Sequence, residues 1–96
     1  MESPRIELLG MASNSIVVQT TYRRFPGIVI QGDTLDSWLC ILDECQRCIA
    51  DTEIDEAGEC IAELKSMINA QLIHYESVLS QFGIALPYAT RNNVTD

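Results

Sequence analysis

The stretch Phe25-Pro26-Gly27-Ile28-Val29-Ile30-Gln31-Gly32-Asp33-Thr34-Leu35-Asp36-Ser37-Trp38-Leu39 decides the fold, because the hydrophobic period changes inside it. Before Gln31 the apolar residues are β-branched and contiguous, which suits a pleated, half-buried strand. After Gly32 they recur every three or four positions, which suits one face of a helix. Pro26 lacks an N–H and has a fixed φ, and Gly27 relieves backbone crowding, so the pair marks a break before the strand. Asp33 or Thr34 is expected to cap the helix, with Asp33 and Asp36 on the positive end of its dipole.

Toward the N-terminus, RIELLGM (5–11) and SIVVQTTY (15–22) flank a turn at Ala12-Ser13-Asn14 and read as two further strands. Toward the C-terminus, Leu35, Trp38, Leu39, Leu42, Cys45 and Ile49 form one stripe on a helix of about 34–49, expected to cover one face of the sheet. Ala50-Asp51-Thr52-Glu53 interrupts that period. Ile54, Ala57, Ile61, Leu64, Ile68, Leu72, Tyr75, Leu79 and Phe82 then carry a second helix, about 54–82, to Gly83, which suits the C′ position. At roughly 1.5 Å per residue this helix reaches about 40 Å, so a bend or a protruding end is expected, and a protruding end is a ready dimer surface. Ile84–Tyr88 is an extended segment that should dock on the core and is a candidate fourth strand; 89–96 is a polar tail. The expected architecture is α+β in a single domain spanning 1–96: a small antiparallel sheet of three strands, or four, packed by one helix and followed by a long C-terminal helix.

Composition narrows the function classes. The chain has 96 residues, 14 Asp and Glu against six Lys and Arg, and a formal net charge of −8. Ten of the acids lie between Asp33 and Glu63, where the sole cation is Arg47. Nucleic acids and anionic lipids demand a basic footprint, so neither is an expected partner; a basic protein surface is. An ordinary solvated helix face would intersperse Lys and Arg at i+4, and that support is nearly absent here. The candidate partner-binding set is therefore Asp51, Glu53, Asp55, Glu56, Glu59 and Glu63. No long apolar run and no signal-like N-terminus is present, so a cytoplasmic location with free thiols is expected. A chain this short builds an adequate but not generous core, which makes a homodimer an expectation.

The run Phe25 to Leu35, with its Pro26-Gly27 and Gln31-Gly32-Asp33-Thr34-Leu35, resembles the strand-to-helix junction of HicB-type antitoxins. It departs from that pattern at Ile28 and at Ser37-Trp38, where the family has a cysteine and Glu-Ala. The resemblance implies a partial ribonuclease-H-like sheet with a helix, and a non-enzymatic inhibitor of a small basic RNA-cleaving toxin, antitoxin-like or immunity-like. The repressor half of that role lacks the basic helix-turn-helix it would need. Over most of the chain, Arg23 to Gly27, Gln31 to Asp33, His74-Tyr75-Glu76, Val78-Leu79 and Gly83 to Tyr88 resemble a short bacterial protein family of unknown function. The alternative class is a homo-oligomeric structural or regulatory accessory protein whose acidity maintains solubility.

Other chemistries have thin support. Cys45-Gln46-Arg47-Cys48 is a C-x-x-C that could join Cys60 and His74 as zinc ligands or act as a thiol sensor, but both cysteines fall within a continuous helical period and read as core residues. His74 is the sole histidine and reads as a hydrogen-bonded rim residue rather than a catalytic base. Asp33, Asp36 and Glu7 could in principle form a carboxylate set, yet the strands carry only Glu7, too few acids for a two-metal site. Gly32 before a helix is a weak phosphate cue amid carboxylates. Arg23-Arg24 reads as a solvated basic turn. No catalytic residue and no cofactor is expected.

Overall fold

The computed structural model describes residues 5–12 and 15–89. The order of elements is β1 (Ile6–Ala12), β2 (Ser15–Thr20), β3 (Gly27–Val29), α1 (Gly32–Ala50) and α2 (Ile54–Gln81). The three strands form an antiparallel sheet in the order β1-β2-β3. The expected turn at Ala12-Ser13-Asn14 lies partly outside the described residues, as does most of the polar tail.

A single irregularity fits the sheet to its helix. Leu8 pairs with Val18 and Gly10 with Val17, so Leu9 is an extra residue in β1. Such a bulge bends the strand and re-aims its side chains. Leu9 packs against the core cluster, and Gly10 meets α2 so closely that a Cβ there would stand 2.5 Å from Val78 Cγ2. Glycine at that position is what lets the sheet lie down on the helix.

The core is small. Val17, Tyr75, Val78 and Leu79 are its buried centre, with Leu9, Ile28, Ile84, Leu86 and Tyr88 around them. The Tyr75 hydroxyl donates to the Pro26 carbonyl at 2.7 Å, so the Pro26-Gly27 break is also the anchor that holds α2 to the sheet. Tyr88 stacks on Tyr75 with ring centroids 6.4 Å apart and donates to Glu76 Oε2 at 3.0 Å. Ile84–Tyr88 thus docks on the core as expected, but as irregular chain and not as a fourth strand.

Two sequence expectations are corrected. The first concerns α1. Its backbone makes no close approach to any strand; α1 packs along α2, and α2 is the helix whose backbone lies against the sheet. The three-residue turn Asp51-Thr52-Glu53 forces this, because so short a connection returns the chain antiparallel alongside the helix it has just left. Sheet and α1 therefore sit end to end along α2, which acts as a spine. The second concerns the start of α1: Gln31 is the N-cap, without a side-chain bond, and Asp33 lies inside the first turn. Asp33 still complements the helix dipole there.

Both helices end in the same motif. The Gly83 N–H bonds the Ser80 carbonyl and the Ile84 N–H the Leu79 carbonyl, with Gly83 at φ 67°. In α1 the Thr52 N–H bonds the Ile49 carbonyl and the Glu53 N–H the Cys48 carbonyl, with Thr52 at φ 57°. These are Schellman closures. Glycine at C′ of α2 matches the sequence expectation, whereas a β-branched residue in the left-handed region of the hairpin turn is strained.

Candidate partner-binding surface

The α1–α2 hairpin carries the acidic set at its far end. Asp51 and Glu53 stand in the turn, Asp55 and Glu56 in the first turn of α2, and Glu59 and Glu63 one and two turns farther along; all six are exposed. Glu56, Glu59 and Glu63 are spaced by three and four and so share one helix face. That face is turned away from the row Ile54, Ile61 and Ile68, since the two rows are more than a third of a turn apart on the helical wheel.

Arg47 organises the tip. Its guanidinium reaches Glu44 Oε2 at 2.6 Å, Asp51 Oδ2 at 2.8 Å and Glu53 Oε1 at 3.3 Å. The hydrogen bond from Arg47 and its positive charge hold the Glu44 carboxyl below its ordinary range, and the same pairing raises Arg47. Since the folded Glu44 is the stronger acid, its contribution is fully present above the unfolded carboxyl range and fades as pH falls through the depressed value. It is an exposed network, so its role is to arrange charge rather than to stabilise the fold. Three carboxylates share one cation there, and the cluster keeps a net negative charge. Glu44 was not in the candidate set; its place three residues before Arg47 on one helix was the signal that it belongs.

The cysteines have a different setting. Cys45 and Cys48 are buried in the seam between α1 and α2, together with Ala57 and Leu64 of α2. Their small size lets the two helices approach. Burial pushes the thiols of Cys48 and Cys60 up, which disfavours the nucleophilic thiolate. His74 is not with them: its Nδ1 is hydrogen-bonded to Ser15 Oγ at 2.7 Å at the sheet end. Among the described residues no group of three or more His, Cys, Asp or Glu is placed to hold a metal ion, so Asp33, Asp36 and Glu7 form no such set. Arg23 and Arg24 are exposed in the turn before β3, with Arg24 lying over the Phe25 ring at 5.3 Å from its centroid.

One cleft of about 480 Å³ opens at the corner where β2 and β3 meet the hairpin, lined in part by Ile16, Val29, Thr34, Trp38, Met67 and Gln71. The Trp38 indole N–H beside it is buried without a hydrogen-bond partner. No helix among the described residues is long and apolar enough to cross a membrane.

The fold and this surface define a class: an α+β protein in which a small sheet carries a projecting, acid-tipped helical hairpin. More particularly, the chain belongs to the DUF6959 family, a family of unknown function, whose profile matches residues 1–88. That bears out the expected likeness to a short family without an assigned activity. Among curated proteins and among solved structures, none is significantly similar.

Proposed function

We propose that this chain is a non-enzymatic protein-binding domain, an antitoxin-like or immunity-like inhibitor that engages a basic protein through Asp51, Glu53, Asp55, Glu56, Glu59 and Glu63. The observation that carries this reading is the position of those carboxylates: they are exposed at the end of a hairpin that projects beyond the sheet, where they can enter a concave basic site. Complementary charge of this kind steers encounter and selects partners. The HicB-like junction from Phe25 to Leu35 supports the choice of a toxin as the basic partner. A second reading, a homo-oligomeric accessory protein, is favoured by the uncovered apolar residues of α1 and α2.

The test is capture of partners on the tagged protein from its native cytosol at low and then moderate salt. A small basic protein that elutes as salt rises, and is not captured when Asp51, Asp55, Glu56 and Glu59 become Asn or Gln, is the expected result. Recovery of the chain's own copies alone overturns the inhibitor reading and leaves the accessory one.

A further inference from the structure

The hairpin has an apolar side that none of the described residues covers. Leu35, Leu42 and Ile49 of α1 are seven residues apart, and so are Ile54, Ile61 and Ile68 of α2; all six are exposed, as is Leu39. The seam between the helices is made by other residues, Cys45, Cys48, Ala57 and Leu64. The exposed row lies about a quarter turn round α1 from that seam and about a seventh of a turn round α2. Because the helices run antiparallel, the two rotations have opposite sense and bring both rows to the same side of the hairpin.

A seven-residue repeat is the signature of helices packed on helices, since it keeps one seam facing a partner helix along its length. These seven residues are each 40–62% exposed, which together makes an area comparable with the roughly 800 Å² that each partner of a stable complex contributes. The protomer as a whole is extended in the same sense. Its radius of gyration is 16.7 Å, whereas a compact chain of this length has about 12.5 Å. Its accessible surface is 7355 Å², against about 5,500 Å² for a compact monomer of this mass. A core this small gains from further apolar burial, and the occupant always present with a matching seven-residue repeat is the chain itself.

We infer that the apolar side of the hairpin is a homodimer interface, in which two copies pack α1–α2 against α1–α2 as a four-helix layer. Repulsion between the acidic tips sets the alignment: the copies run antiparallel, placing the tips at opposite ends, Leu42 facing Leu42 and Ile61 facing Ile61 across the two-fold axis. The acidic face stays outside this layer, free for a basic partner. The inference does not depend on that partner's identity.

Sedimentation equilibrium and native mass spectrometry at micromolar concentration test it. The wild-type chain should have twice the mass of one 10.7 kDa copy. Leu42→Lys and Leu42→Glu should each weaken self-association at least tenfold and sediment as single chains, and an equimolar mixture should restore a dimer containing one of each. The mixture guards against variants that merely fail to fold, since only folded chains can re-pair. Neutralising Asp55 and Glu56 should leave the dimer intact, which separates this test from that of the tip. A wild-type chain at single-copy mass, variants that still dimerise alone, or a mixture that stays monomeric would overturn the proposal.

Discussion

The two ends of α2 are built by opposite rules. At the sheet end, Tyr75, Val78 and Leu79 are enclosed by β1, β2 and the Ile84–Tyr88 segment, and Leu79 is 0% exposed. At the hairpin end the same helix buries only Ala57 and Leu64, and its neighbour α1 keeps Leu39 57% exposed. One end is a finished core; the other is a thin seam of small residues with an apolar flank. The contrast teaches that stability internal to the protomer resides at the sheet end, and that the hairpin end leaves apolar surface free for the association proposed above.

The sharpest way to break that contrast is a pair of truncations. Leu79→Ala should cost about 3 kcal/mol of the roughly 5–14 kcal/mol expected for a chain of this size, independently of protein concentration. Leu39→Ala should cost less than about 1 kcal/mol in dilute solution, with a loss that grows as concentration rises. Urea unfolding followed by far-ultraviolet circular dichroism reads both; equal, concentration-independent losses would abolish the distinction.

A smaller effect is expected where the sheet touches α2. Gly10→Ala places a methyl against Val78 and should destabilise by about 1–3 kcal/mol. In the Val78→Ala background the same change should cost much less, because the clashing methyls are gone; additive losses would show that the close approach does not matter. At the hairpin turn, Thr52→Gly should stabilise by about 1 kcal/mol by relieving the positive φ of a β-branched residue. A loss instead would mean that the Thr52 side chain contributes more than its strained backbone costs.

Much of the fold was legible because backbone preferences are local. The β-branched runs, the shift to a helical period after Gly32, the interruption at Ala50-Asp51-Thr52-Glu53 and the glycine at C′ of α2 all fall within one to three residues of where their sequence features place them, with β3 ending earlier, at Val29, and Ala50 still helical. The boundary at Asp33 shifted because Gln31 and Gly32 already permit the helix to begin, and no side-chain cap is used. Reading α1 as a cover for the sheet took its stripe as one surface. It is two: Trp38 and Cys45 toward α2, where Cys48 joins them, and Leu35, Leu39, Leu42 and Ile49 away from it. The shortness of the turn after α1 carried the missing information.

For the acidic surface, the carboxylates themselves and their one-sidedness were plain from charge counting, and Arg47 could be seen as their sole cation. That Arg47 draws Glu44, Asp51 and Glu53 into one network depended on the turn geometry that folds residue 53 back beside residue 47. The sequence by itself determined the α+β class, the helix and strand types, the burial of the C-x-x-C cysteines and the concentration of negative charge. Only the tertiary structure decided which apolar row meets which element, because periodicity defines a face while the relative placement of helices and sheet defines what covers it. The bulge at Leu9, the short turn at Thr52 and the Tyr75 anchor on Pro26 set that placement.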